Sequence, residues 1–235
     1  MTEHVLGDTV LQSQTLEDVS SAVRYHAWLT SLAEPYLGDD PVEIGSGRGD
    51  YAERWATGGR RVTATDADGR HLAALYARFA NNDAVTVREL AAPSEETADH
   101  SAVAAFNVLE HIPDEVAALR GFGRLLRPGG AVVLFVPAFP FAMSRFDRAV
   151  GHQRRYRLDS LLAALAAAGL RTERLHYVNA PGLLAWFAGM RVLGMTPSDG
   201  PALRLWDRGV IPIVRKVESR RPPPFGQSLF AVARR

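Results

Sequence analysis

From Val42 onward, short apolar runs alternate with stretches of helical spacing, and this alternation limits the fold more than any other feature of the chain. Val42-Glu43-Ile44 reads as a strand, residues 45–49 as a glycine-rich turn and residues 51–57 as a helix closed by Gly58-Gly59. Residues 61–65 form a second strand. The following helix, 68–80, has Leu72, Leu75 and Phe79 on one face. Residues 84–88 make a third strand. Residues 101–106 make a fourth, apolar throughout as a strand covered on both faces must be. Asp114 caps a helix to Leu126, Arg127-Pro128-Gly129-Gly130 is a turn, and residues 131–136 form a fifth strand stopped by Pro137. Asp159 or Ser160 caps a helix through Ala168; residues 171–178 and 228–233 complete seven strands. Parallel neighbours need long crossovers, and helices supply them. The pattern therefore predicts a doubly wound α/β fold on a mainly parallel seven-stranded sheet.

Two segments stand outside the alternation. Residues 15–37 read as a helical N-terminal cap, with Val23, Ala27 and Leu32 facing inward and Pro35 near the helix end. Residues 180–224 form an insertion before the last strand, apolar first and basic later. No linker separates either from the core, so residues 1–235 are read as a single domain, with the cap at 1–38.

The chain has no cysteine, which excludes disulfides, thiolate metal sites and cysteine nucleophiles. Residues 1–140 hold 11 basic and 20 acidic residues, and residues 141–235 hold 16 and 6. A basic half favours an anionic acceptor, an acidic membrane surface or nucleic acid, against the plain alternative of a solvated arginine-rich face. The start of the chain has no signal-peptide pattern, and the apolar run 181–195 is short of a membrane span and broken by Arg191, so a cytoplasmic protein is expected.

The chemistry concentrates at strand ends. In Glu43-Ile44-Gly45-Ser46-Gly47-Arg48-Gly49, glycines permit a tight turn and close approach of a ligand to the backbone. Asp50 stands where a dinucleotide fingerprint needs its third glycine, which disfavours a pyrophosphate ligand. Asp66 ends the second strand, where a carboxylate can accept hydrogen bonds from both hydroxyls of a ribose. Together they describe a nucleoside-like ligand. After the fourth strand comes Asn107-Val108-Leu109-Glu110-His111-Ile112-Pro113-Asp114.

These motifs, taken in order with Leu125-Leu126-Arg127-Pro128-Gly129-Gly130, resemble the class I S-adenosylmethionine (SAM) dependent methyltransferases, in the branch of quinone-biosynthesis and natural-product enzymes. The resemblance covers about residues 20–180. It implies a Rossmann-like methyltransferase fold with SAM as cofactor. Gly45, Ser46, Gly47 and Gly49 would wrap its methionine part, and Glu43 would hold that loop or the amine. Asp66 would bind the ribose, Ala67 would lie against the adenine, and Asn107 and Val108 would place backbone near the methionine. Tyr25 and Trp28 match an aromatic pattern that covers the cofactor, or are ordinary helix packing. The chain departs from the family at Leu90-Ala91-Ala92, where an acid often meets the adenine amino group; Glu95 or backbone would have to substitute.

A sulfonium methyl is already activated, so the protein must hold a nucleophile in line and exclude water. No metal is required, and none is evident in the sequence. A hydroxyl acceptor also needs a base, and His111 or His152 is expected to serve. Arg154, Arg155 and Tyr156, in the stretch Gly151-His152-Gln153-Arg154-Arg155-Tyr156-Arg157, would grip an acidic acceptor, with Trp186 on its apolar side. The expectation is methyl transfer to oxygen or nitrogen of a small or lipid-like molecule, with carbon methylation and a non-catalytic SAM-binding protein as alternatives. Nucleic acid is disfavoured for want of an RNA-binding module. The insertion reads as a lid, with a dimer interface and a membrane-surface contact as rivals, and the chain as a monomer or homodimer.

Overall fold

The structure is a computed structural model describing residues 22–194 and 200–235. The readings made for residues 15–21 of the cap, for the start of the chain and for Met195 lie outside these residues.

The elements run α1 (Val23–Leu37), β1 (Pro41–Ile44), α2 (Asp50–Thr57), β2 (Val62–Asp66), α3 (Gly69–Phe79), β3 (Val85–Glu89), β4 (His100–Phe106), α4 (Glu115–Arg124) and β5 (Leu126–Pro137). They continue through α5 (Arg145–Ala149), α6 (Leu158–Ala167), β6 (Arg171–Val178), α7 (Ala180–Trp186), α8 (Pro201–Leu205), α9 (Ile211–Glu218) and β7 (Ser228–Arg234). Seven strands form one sheet in the order β3-β2-β1-β4-β5-β7-β6. All pairs are parallel except those of β7, which runs antiparallel to both β5 and β6. This is the doubly wound, mainly parallel sheet that the alternation predicts.

The central strands explain the order. Every residue of β1 is buried, as are all of β4 beyond His100, so these strands can only lie between covered faces. One face packs Phe122, Leu119, Leu161 and Leu165 from α4 and α6. The other packs Trp28, Leu29, Ala33 and Leu37 from α1 with Trp55 and Phe79 from α2 and α3.

Two local readings need correction. Val23 is 52% exposed rather than inward, and the buried stripe of α1 is Trp28, Leu29, Thr30, Ala33 and Leu37. Pro35 lies in the last turn of α1, near the helix end as expected. The turn at residues 127–130 is absorbed into β5 as an irregularity: His100 pairs with Leu126, then Ala102 pairs with Ala131.

The insertion is helical. α7 runs on into a π-helical turn over Phe187–Val192, and a second such turn, Trp206–Val210, joins α8 to α9. It is apolar on more sides than it buries: Leu184, Val192, Leu193, Leu205 and Ile213 face outward. Its hold on the core is polar. Asp207, itself buried, accepts the main-chain N–H of Arg24 at 3.0 Å and of Tyr25 at 2.9 Å, so the insertion caps α1, whose own Ala22 cannot. Glu218 at the end of α9 accepts the N–H groups of Asn179 and Ala180 at 2.8 and 3.0 Å, closing the insertion at its base. No helix of the described residues is long and apolar enough to cross a membrane.

Candidate active site

The carboxyl ends of β1, β2 and β4 open onto one continuous cleft of about 720 Å³, roofed by α1 and by the insertion. Its position follows from the topology: β1 and β4 are neighbours whose crossovers lead to opposite faces of the sheet, and a crevice opens where they diverge.

One end is built by the first two loops. Gly45 has φ +68°, and a Cβ there would stand 2.7 Å from Val108 Cγ2, so only glycine lets this loop lie against the residue after β4. The Ser46 amide bonds the Thr65 carbonyl at 2.7 Å, tying the loop to β2. Asp66 is positioned by backbone donors: Oδ2 accepts Gly47 N–H and Oδ1 accepts Asp68 N–H, both at 2.9 Å. His71 Nδ1 stands 3.4 Å away. That contact, more than the burial that opposes it, raises the His71 pKa above its ordinary value.

Glu43 is buried beneath the same loop, with Oε2 unpartnered. Burial pushes its carboxyl up to about 8, against hydrogen bonds from Ser46 and the Ala52 amide. A cation delivered there would find a buried acid ready to ionise. Asn107, at φ 54°, turns the chain out of β4 so that it and Val108 line the cleft. Tyr25 lines the roof, and burial raises its hydroxyl pKa while Asn179 and Ser228 bond to it.

The other end is built by the residues after β4 and β5. His111 and His152 both line it, their rings edge to face at 4.6 Å between centroids. Burial, then His152, pushes His111 down to about 3, so it is neutral at pH 7. His152 Nδ1 stands 3.1 Å from Asp147 Oδ1. Asp147 sits in a capping box with Ser144 at the start of α5. Burial would raise its pKa, but His152 and Arg155 hold it well below the usual carboxylate range. Arg155 donates to Asp147 at 2.8 Å, and its guanidinium carbon lies 4.8 Å from the centre of the Trp186 ring. Trp186 in turn donates from Nε1 to the Ala142 carbonyl at 3.2 Å. Ala185, Met190, Leu203, Trp206 and Ile211 of the insertion complete an apolar wall.

Thus Tyr25, Glu43, Gly45, Ser46, Gly47, Asp66, Ala67, Asn107, Val108, His111, His152, Arg155 and Trp186 meet around one space. The structure places the remaining expected residues elsewhere. Trp28 is a core residue under α1. Gly49, at φ 82°, starts α2 and faces Phe79, behind the loop. Arg154 spends its guanidinium on the carbonyls of Ile112 and Pro113, both at 2.7 Å, and on Glu115. Tyr156 is buried with its hydroxyl 2.6 Å from Glu115. The last two fasten the loop after β5 to the start of α4 and leave an acceptor nothing to bind.

The sequence reading misses Asp147, Asn179 and Asp207. Ser144-Arg145-Phe146-Asp147 has the serine-to-acid spacing of a capping box, and Asn179 before Ala180-Pro181 is a helix-start signal, so both could have been found. Asp207 gives no local signal, because the amides it caps lie 182 and 183 residues earlier.

Residues 42–132 match the family model described as a methyltransferase domain. A ubiquinone biosynthesis O-methyltransferase of Paracidovorax citrulli is 33% identical over 110 residues, which are 45% of this chain and 46% of that protein. One of Xanthomonas oryzae pv. oryzae is 30% identical over 162 residues, 61% of this chain and 65% of that protein. The chain thus spans between about half and two thirds of these relatives. In three dimensions it is similar to an S-adenosylmethionine dependent methyltransferase from Mesorhizobium loti, with TM-score 0.58 and 19% identity over 88% of this chain and 95% of that one. That likeness concerns the fold. With the matched domain at its centre, the motifs in order and this fold around them, the chain is similar in sequence and fold to the class I SAM-dependent methyltransferases.

Proposed function

We propose that the chain is an enzyme transferring the methyl group of SAM to an oxygen or nitrogen, oxygen preferred, of a small or lipid-like acceptor. The observation that carries the reading is the single cleft: a nucleoside end at Asp66 and Gly45 runs without a partition into an end lined by two imidazoles and an apolar wall. Both halves of a methyl transfer need that continuity, because the donor and acceptor atoms must lie in line about 3–3.5 Å apart.

The residues fit the cofactor. Asp66 would accept the ribose hydroxyls, its carboxylate already aligned by the amides of Gly47 and Asp68. The Gly45–Gly47 backbone cradles the amino-acid part, and buried Glu43 beneath it supplies the counter-charge for an ammonium. Held there, SAM would supply an electrophilic methyl carbon, its sulfur keeping the C–S electron pair as the acceptor's lone pair takes the methyl. The chain's own residues do the rest. Tyr25 and Trp186 close the cleft from above and exclude water. His111 and His152 act at the acceptor's hydroxyl, with Asp147 fixing the His152 ring. Of the two arginines expected to grip an acidic acceptor, only Arg155 reaches the cleft, and Asp147 balances its charge. It orients the apolar wall through Trp186.

The insertion is proposed as a lid over the acceptor end. Its support is that Trp186, Met190, Leu203 and Trp206 all face the cleft while Asp207 ties them to α1. The test of the acceptor atom is product analysis. A fractionated cell extract is incubated with the protein and methyl-labelled SAM, and the product is fragmented in a mass spectrometer. Label on oxygen or nitrogen supports the reading; label on carbon overturns that choice of atom.

A further inference from the structure

The two imidazoles at the acceptor end have a third neighbour that methyl transfer leaves without a use. Glu110 is 0% exposed, and neither carboxylate oxygen has a hydrogen-bond partner among the described residues. Burying a carboxylate with no donor is costly, and such a group is found where something else completes it. One ligand atom each from Glu110, His111 and His152 lie within 4.8 Å of one another.

We propose that Glu110, His111 and His152 bind a divalent transition-metal cation at the acceptor end of the cleft. Three further observations support it. Each imidazole has one nitrogen turned to a polar neighbour behind it: His152 Nδ1 stands 3.1 Å from Asp147 Oδ1, off the line of a hydrogen bond, and His111 bonds the Val150 carbonyl. Metal-ligating histidines are held this way, with the outer nitrogen on a carboxylate or carbonyl and the inner one free for the metal. The inner nitrogen of His152, Nε2, faces Glu110 Oε1 at 3.9 Å, too long for a hydrogen bond and suited to an atom between them. The two segments are locked in register, because Gln153 N–H bonds the Glu110 carbonyl at 2.8 Å.

The size also suits. A tetrahedral cation with bonds of about 2.0–2.2 Å sets its ligand atoms about 3.4 Å apart. The trio closes by little more than an ångström at its widest. Two imidazoles with one carboxylate select zinc, cobalt, iron or manganese over magnesium and calcium, which want oxygen. Three protein ligands leave a position open, as catalytic rather than structural sites do. His111 and His152 line the cleft, so that position faces the acceptor and would take an oxygen donor: a phenol, an enol or a carboxylate. With the cation bound, both inner nitrogens are ligands, and the cation in place of a free imidazole would acidify the acceptor's hydroxyl; this last step rests on the methyl-transfer reading, and cation binding does not.

The sequence hides the site, because Glu110-His111 and His152 belong to loops after different strands and only the packing of residues 151–153 against 109–111 joins them.

The test uses the whole chain without a histidine tag, stripped by a chelator and titrated with Co²⁺ alone. Visible absorption reads the ligand field, and Zn²⁺ is the competitor. One equivalent of Co²⁺ is expected to bind with micromolar or tighter affinity and the bands of a nitrogen–oxygen site, and Zn²⁺ should displace it. Glu110→Gln and His152→Gln should abolish the bands, and Asp147→Asn should weaken binding by about 10–100-fold by loosening the charge that orients the His152 ring. Each variant is checked for the parent's circular dichroism and cooperative melting. The wild-type titration decides even if a variant fails to fold: no bands at millimolar Co²⁺ overturns the proposal. Binding that survives in folded Glu110→Gln overturns it too. Calorimetry of S-adenosylhomocysteine on the same metal-free protein separates the two readings, since the cofactor end lies apart from the trio. Absence of Co²⁺ binding by the unaltered chain, with normal S-adenosylhomocysteine affinity, sinks the cation site alone.

Discussion

Removing the Asp66 carboxylate should separate cofactor affinity from folding. In the protein it accepts two main-chain N–H groups, from Gly47 and Asp68, each at 2.9 Å. It also faces the cleft, where both ribose hydroxyls of the proposed cofactor would meet it. Asp66→Ala deletes the ligand's charge-assisted hydrogen bonds. Each is worth about 1.5–3 kcal/mol, and 1.4 kcal/mol is tenfold in Kd, so affinity should fall by roughly 10–150-fold for one such bond. The two orphaned amides border an open cleft and can be reached by water, so the stability cost sits at the low end, about 1 kcal/mol each. For a chain of this length that amounts to roughly 4–8 °C in Tm. The assay is calorimetric titration with S-adenosylhomocysteine beside a thermal melt. The control is Asp114→Ala, which removes the α4 cap on Ala117 and costs about 0.5–2 kcal/mol of stability but should leave affinity unchanged. An Asp66→Ala protein that folds cooperatively and binds within threefold of the parent refutes the assignment of this end of the cleft.

Glu43 makes a second prediction. Burial holds its carboxyl protonated up to about pH 8, so this group stabilises the fold below its unfolded pKa near 4.5, and that contribution is lost as pH rises through about 8. An ammonium placed against it should expel the proton. Titrations at pH 6.5 in buffers of different ionisation enthalpy should therefore show close to one proton released per cofactor bound, and none in Glu43→Gln. Asp207→Ala strands the amides of Arg24 and Tyr25 and should cost about 0.5–2 kcal/mol in a denaturant melt, with faster amide exchange at the start of α1. Unchanged exchange there would mean that the insertion is held by its apolar contacts alone. Trp186→Ala removes the ring between Arg155 and the cleft and should raise the acceptor KM while S-adenosylhomocysteine affinity stays constant. Conversion of a dimer to monomers with normal kinetics, or loss of vesicle flotation alone, would instead identify the insertion as an interface or a membrane contact.

The number of strands and the mainly parallel, doubly wound sheet were legible because they depend on local features: runs such as 101–106 are apolar throughout, and helices lie between them. The nucleoside end was legible for the same reason. Gly45 and Asp66 each close a strand, and strand ends in a parallel sheet converge whatever the surrounding residues are. The acceptor end was legible only in part. His152 and Arg155 announce themselves as polar residues after β5, but the sequence does not distinguish Arg155, which reaches the cleft, from Arg154, which turns back onto Ile112 and Pro113. Alternate residues of an extended segment point to opposite sides, and which side is inward depends on the partner surface. Tyr156 reads as a ligand-facing aromatic for the same reason, yet packs beneath. Val23 fails differently: the stripe of α1 was judged without knowing that the helix lies along β4 and β5, which picks out Trp28, Leu29, Ala33 and Leu37. The insertion shows the limit of composition. Its apolar content is correctly seen, but its attachment depends on Asp207 and Glu218, two acids whose partners are main-chain amides distant along the chain.

The central claim is that one cleft brings the methyl of SAM to an acceptor, and transfer itself tests it most directly. The purified chain, methyl-labelled SAM and fractionated extract are combined, and two products are counted: label in an acceptor and S-adenosylhomocysteine. The account predicts equal amounts of both, rising with enzyme concentration and lost in Asp66→Ala. S-adenosylhomocysteine tightly bound with no label transferred to any fraction would contradict it, leaving a protein that holds the cofactor without using it.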